Sequence, residues 1–193
     1  MFENNFTKKG TLTVISGCMF SGKTTELLRL LNLAEIADLN TLLFKLNIDT
    51  RYKKDKVVSH NLVEKKAIVV SNSKEILTKI KSFKVDIVGI DEVQFFDKGI
   101  VKVIDKILAQ KKAVIVAGLN LDFKAKPFGQ MPTLLAKADN LIKVYAVCSE
   151  CKKPATRTQR LINGLPASKK SPIILVGGKE QYTARCVNCH KVL

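Results

Sequence analysis

The stretch Gly17-Cys18-Met19-Phe20-Ser21-Gly22-Lys23-Thr24 constrains the fold of this chain more than any other. Gly17 and Gly22 are separated by four residues, and Lys23-Thr24 follows directly. Glycines so placed let the backbone turn tightly and aim its N–H groups into one concavity. A lysine beside them reaches anionic oxygens, and the next hydroxyl can ligate a divalent cation. The flanks fit this reading. The apolar run Thr11–Ser16 leads in as a buried strand, and the leucine-rich run Thr25–Leu39 leads out as a helix. A helix N-terminus then points at the loop, the arrangement that binds phosphate. The plainer alternative, a glycine-rich turn with no ligand, rarely comes with such flanks.

The same alternation continues downstream. Thr41–Leu46, Val85–Ile90, Ala113–Ala117 and Leu141–Val147 read as apolar strands. Ser73–Ser82, Lys98–Lys111 and Pro132–Ala138 read as helices, with apolar residues recurring at three and four. Continuous apolar strands between amphipathic helices predict a largely parallel α/β sheet covered on both faces. After Val147 the character changes. Two Cys-x-x-Cys pairs bracket a stretch rich in Lys, Ser, Pro and Gly, with extended pieces at Thr156–Leu161 and Ile173–Val176 and a mobile loop expected over Asn163–Pro172. Residues 49–66 are polar, basic and weakly periodic.

Two further patterns carry chemistry. The strand Val85–Ile90 ends in Asp91-Glu92. An acid at the end of such a strand organises Mg²⁺ in phosphate-loop enzymes, and the next acid is placed to take a proton from an attacking oxygen. Two solvated acids capping a strand are the bland alternative. Cys148/Cys151 and Cys186/Cys189, 34 residues apart, supply four thiolates, which suit a closed structural Zn²⁺ site. Free core cysteines, an iron–sulfur cluster, or His190 as a competing ligand remain open at this point. Phe95, Phe123 and Phe128 follow strand ends, where an aromatic face can stack on a flat base.

The chain of 193 residues carries a formal net charge of +16, mostly from scattered lysine pairs. Either the surface is simply lysine-rich or the partner is acidic, nucleic acid included. No uninterrupted apolar stretch is long enough to span a bilayer, and no signal-peptide pattern opens the chain, so a cytoplasmic protein is expected.

GCMFSGKTT (17–25), DTRY (49–52), Ser59-His60, GIDEVQFF (89–96), AGLNLDFKAKPFG (117–129), CSEC (148–151), TRTQR (156–160), GGKEQY (177–182) and CVNC (186–189) occur in an order and spacing that resemble the cytosolic, zinc-containing (type II) thymidine kinase family. The resemblance runs from about Gly10 to His190. It implies a P-loop (RecA-like), mostly parallel sheet over residues 1–147 and a small zinc-binding lasso over 148–193. It further implies transfer of the γ-phosphoryl of ATP to the 5′-hydroxyl of thymidine. Glu92 would be the general base. Gly17, Cys18, Met19, Phe20, Ser21, Gly22, Lys23, Thr24, Thr25 and Arg51 would serve the phosphates, and Thr24, Asp91 and Asp49 would serve Mg²⁺. Met19, Phe95, Leu119, Phe123, Phe128, Arg160, Ile173, Leu175, Val176, Gly177 and Tyr182 would hold thymidine, with Arg160 also a candidate for neutralising phosphate. Residues from about Leu161 to Tyr182 would form a lid gripping the base by its backbone. Cys148, Cys151, Cys186 and Cys189 would hold structural Zn²⁺. The family pattern also implies a homotetramer inhibited by thymidine triphosphate, with no nucleic-acid or membrane partner. Two departures stand out: Cys18 where the family often has proline, and Asn120-Leu121 where it often has Asp-Gly. A basic, DNA-stimulated ATPase and a nucleotide sensor without turnover are the competing readings.

Overall fold

The computed structural model describes residues 7–47, 56–58, 64–174 and 180–193. Its main sheet is built from β1 (Leu12–Gly17), β2 (Thr41–Leu46), β5 (Ile68–Val70), β6 (Ile87–Ile90), β7 (Ala113–Leu119) and β8 (Asn140–Lys143), in the order β5-β2-β6-β7-β1-β8. Every neighbouring pair in it is parallel. Parallel neighbours need crossovers, and helices lie in those that follow β1, β5, β6 and β7. The helices are α1 (Lys23–Ile36), α2 (Ser73–Ile80), α3 (Ile100–Ala109) and α4 (Met131–Lys137).

Strand side chains alternate between two cores, as the period of two requires. On one face Ile15, Leu43, Ile87, Ala113, Ile115 and Ala117 meet Leu27, Leu28, Leu31 and Ala34 of α1. On the other, Val14, Phe44, Val88, Ile90, Val114 and Val116 meet α2, α3 and α4 through residues such as Ile76, Ile104 and Leu134. Both faces of the central strands are therefore covered, and β1, β6 and β7 are buried along their whole length, whereas the edge strand β8 keeps Leu141 exposed. Gly89 of β6 lies under α1: a Cβ there would come within 2.8 Å of the Leu31 side chain.

The sheet order fixes where chemistry can occur. β6 and β1 flank β7, so the segments following Ile90, Leu119 and Gly17 emerge side by side at the carboxyl edge. That edge is where ligands bind in such sheets.

Several sequence expectations need correction. The predicted strand Leu141–Val147 is two strands. β8 ends at Lys143, and β9 (Ala146–Val147) pairs instead with β10 (Pro154–Ala155) across the first cysteine pair. The stretch Asn163–Pro172, expected as a mobile loop, begins with a hairpin joining β11 (Arg157–Ile162) to β12 (Leu165–Pro166). Asn163 and Gly164 have φ of 51° and 79°, so this Asn-Gly pair makes a two-residue turn of the kind that matches strand twist. Residues 49–66 contain a small antiparallel pair, β3 (Lys56–Val58) with β4 (Glu64–Lys66), and β5 follows; neither was foreseen. Ile173 and Ile174 lie in no strand. β13 (Glu180–Arg185) pairs antiparallel with β11 along its whole length.

Candidate functional site

The loop leading from β1 into α1, residues 17–22, folds as its glycines demand. Gly22, at φ 82°, is the N-cap of α1, and a Cβ on Gly17 would sit 2.5 Å from the Val144 carbonyl. Lys23 is buried, and its Nζ donates to the Cys18 carbonyl at 2.7 Å. Burial pulls this amine below its ordinary value, while Glu92, Cys18 and Asp91 act to raise it. Ser21 Oγ donates to the same carbonyl at 2.8 Å. Thr25 stands in the first turn of α1, and Phe20 at φ 64° is half exposed.

Asp91 follows directly on β6 and is 6% exposed. Thr24 Oγ1 donates to it at 3.1 Å and 3.3 Å to the two carboxylate oxygens. Burial and the Glu92 carboxylate push Asp91 up from its ordinary 3.8 to about 7. The Glu92 N–H donates to Asp91 Oδ1 at 3.0 Å. Glu92 itself sits at φ 50°, ψ 43°, left-handed backbone that a non-glycine residue adopts only when its surroundings enforce it. Strain of this kind clusters at functional sites.

Gln94 explains part of that enforcement, and the sequence reading missed it. Its side chain is buried. Nε2 donates to the Glu92 carboxylate, and Oε1 accepts the Leu119 N–H at 3.0 Å. One amide therefore spans the ends of β6 and β7. The polar Gln94 in an otherwise apolar run, Val93–Phe96, was the available signal.

The aromatic expectations converge around the segment after β7. Phe95 and Phe128 meet edge to face, with ring centroids 5.3 Å apart. Phe123 is buried beneath the Arg160 guanidinium, 4.0 Å from its ring centroid. Arg160, also fully buried, donates to Tyr182 Oη at 2.9 Å and to the carbonyls of Pro172 and Ile173, both at 2.5 Å. It thus sits on the aromatic side, bracing the Pro172–Ile173 backbone. Met19 belongs to the phosphate loop, yet its N–H donates to Thr158 Oγ1 of β11 at 3.0 Å. Asp49, Arg51, Leu175, Val176 and Gly177 lie outside the described residues, as do the rest of DTRY and Ser59-His60.

A family model for thymidine kinase matches residues 10–190. A thymidine kinase of Coprothermobacter proteolyticus (strain ATCC 35245 / DSM 5265 / OCM 4 / BT) is 54% identical over 186 residues, which cover 96% of this chain and 93% of that protein. The chain belongs to the thymidine kinase family.

Four cysteines are assembled here as a cluster that can hold a metal ion. The sulfurs of Cys148, Cys151, Cys186 and Cys189 all lie within 4.8 Å of one another, and Cys151 and Cys186 are 3.5 Å apart. Tetrahedral coordination at about 2.3 Å per sulfur would set them about 3.8 Å apart, so the spacing fits. Burial opposes charge at Cys148, but the backbone N–H groups of Cys151, Cys186 and Glu150 prevail and bring it down to about 6. The neighbouring Cys186 and Cys151 thiols push Cys189 up to about 12. This is a cluster sharing protons that a cation would displace. His190 stands outside it and bonds instead to the Phe123 carbonyl at 2.9 Å.

Cys18, one of the two departures from the family pattern, packs its side chain with Cys148, Ala155, Ala184 and Cys186, its Sγ 3.4 Å from the Ala155 carbonyl. Burial raises its pKa, which makes it a poor nucleophile. At the other departure, the Asp122 carboxylate closes the turn after Leu121 by accepting the N–H groups of Lys124 and Lys126.

Proposed function

We propose that this chain is an ATP-dependent thymidine kinase in which Glu92 is the general base. Membership of the family carries the reaction, phosphoryl transfer from ATP to thymidine. The observation that carries the residue assignment is the contact of Thr24 with Asp91 at 3.1 Å, with Glu92 next in the chain and held by Gln94.

Phosphoryl transfer depends on positioning and charge neutralisation more than on covalent chemistry. Lys23, now held by the Cys18 carbonyl, turns to the outer phosphates while the loop N–H groups cradle them. The oxygens of Thr24 and Asp91 are hard donors that suit Mg²⁺, which would neutralise phosphate charge when bound. Glu92 accepts the proton of the thymidine 5′-hydroxyl as its oxygen bonds to the γ-phosphorus and ADP departs. Phe95, Leu119, Phe123, Phe128, Met19 and Tyr182 enclose the base. Arg160 serves this pocket by fixing the lid backbone at Ile173. The lid excludes water, a competing acceptor.

The four sulfurs are assigned to structural Zn²⁺, for which an all-thiolate set with no open position is suited. Residues 148–193 then act as a lasso unit beside the nucleotide-binding unit 1–147. We extend the reading, through the family resemblance, to a cytoplasmic homotetramer inhibited by thymidine triphosphate. Light scattering and a thymidine triphosphate titration check those two properties. Among the described residues no helix is long and apolar enough to cross a membrane.

The deciding assay supplies labelled ATP and Mg²⁺ with thymidine, deoxyuridine, deoxycytidine or deoxyadenosine, and separately with single-stranded DNA. Label in thymidine monophosphate supports the proposal. ATP hydrolysis stimulated by DNA without nucleoside labelling refutes it and makes the +16 charge the main clue.

A further inference from the structure

We infer that His190 is a positioning residue for thymidine: its imidazole ties the second cysteine pair to the backbone of the base segment at Phe123. The inference rests on the proposed assignment of Phe123 to the base pocket.

The geometry is specific. His190 Nε2 lies 2.9 Å from the Phe123 carbonyl oxygen, across 67 residues of sequence. A carbonyl only accepts, so Nε2 carries the proton and donates. The ring is aimed by its own backbone. The His190 N–H bonds to the Cys186 carbonyl at 3.1 Å. The next residue is locked by a reciprocal pair: Gln159 Nε2 donates to the Lys191 carbonyl and the Lys191 N–H donates to Gln159 Oε1, both at 2.8 Å. Gln159 is the neighbour of Arg160 in β11, and Arg160 covers the Phe123 ring at 4.0 Å. Phe123 is thus gripped twice from the C-terminal unit, at its ring by Arg160 and at its carbonyl by His190. Asp122, one residue earlier, fixes the following turn through the Lys124 and Lys126 N–H groups. The His190 bond is the link that registers this turn against the cysteine cluster.

The role predicts a split between substrates. Among the described residues, the hydrogen bonds of Lys23 and Thr24 run to Cys18 and Asp91 and not to His190, Gln159 or Phe123, so thymidine binding should weaken while ATP binding stays unchanged. His190→Leu removes the donor at similar volume. His190→Gln keeps an amide N–H at comparable reach. Thymidine Kd by calorimetry without ATP, KM for each substrate, and bound metal per chain are measured for both. His190→Leu should raise thymidine Kd and KM about three- to tenfold, the loss of one neutral hydrogen bond. ATP KM and metal content should match the wild type, and His190→Gln should recover most of the loss. An unchanged thymidine Kd overturns the inference. So does a parallel loss of metal with both KM values raised, which would make His190 a support of the cluster only. Phe123→Ala serves as the control for the underlying assignment. If it leaves thymidine Kd unchanged, the base-pocket reading fails. If it weakens binding while His190→Leu does not, only the His190 inference fails.

Discussion

Replacing Gln94 with leucine tests the link between the two strand ends directly. The side chain makes two bonds, one to the Glu92 carboxylate and one from the Leu119 N–H. Leucine has nearly the same volume but neither polar end, so each bond is lost without a large cavity. A hydrogen bond to a charged group contributes about 1.5–3 kcal/mol. If that bond holds Glu92 toward the 5′-hydroxyl, its loss lowers kcat by about 10- to 150-fold at about 1.4 kcal/mol per decade. The orphaned Leu119 N–H, on a residue only 7% exposed, costs about 1–3 kcal/mol of stability. For a chain of this size that lowers Tm by several degrees, at about 2–4 °C per kcal/mol. The assay is steady-state phosphorylation of thymidine at varied ATP and thymidine, with a thermal melt alongside. Among the described residues Gln94 bonds to Glu92 and Leu119 rather than to Lys23 or Thr24, so KM for ATP should hold. A kcat within about twofold of wild type would falsify the positioning role.

Three other outcomes are expected. Glu92→Gln should retain nucleotide binding but lose about 10²–10⁴-fold in turnover, as removal of a general base does; near-normal turnover would show that another group takes the proton. Asp91, raised to about 7, makes the metal-free protein lose stability as pH rises from its ordinary 3.8 through about 7. Melting curves in chelator across that window should show the loss in wild type and a flatter slope in Asp91→Asn, and equal slopes would contradict the raised value. Stripping metal from the four cysteines should loosen β13 and its partner β11 and abolish activity, because Cys186 follows directly on β13 and is clustered with Cys148 at the end of β9. Rebinding zinc should release protons, measurable with a pH indicator, and full activity in metal-free protein would rule the role out.

Most of the main sheet was legible because its central strands are apolar on both faces and its helices repeat at three and four; the three-residue β5 is too short to show a pattern, and the end of β8 at Lys143 was not read. Thr41–Leu46 was read to the residue. That Thr24 would meet Asp91 and that the four cysteines would cluster was legible, because each motif has a spacing that chemistry uses. Short polar strands were not. Lys56–Val58 and Glu64–Lys66 owe their form to each other, and β13 to β11, so no local periodicity announces them. The Asn163-Gly164 turn had a readable signature that a lysine- and serine-rich context obscured. The roles of Gln94 and His190 depend on contacts with Leu119 and Phe123, which sequence spacing does not encode.

The burial of Cys18 gives the molecule a built-in reporter. Its sulfur is buried among Cys148, Ala155, Ala184 and Cys186 of the cysteine-bearing segment, so a reagent reaches it when that packing opens. With the other four thiols occupied by metal, the rate at which a bulky disulfide labels this one sulfur counts how often the packing opens. Comparing that rate with and without nucleotide would time the breathing of the enzyme using an atom that takes no part in its chemistry.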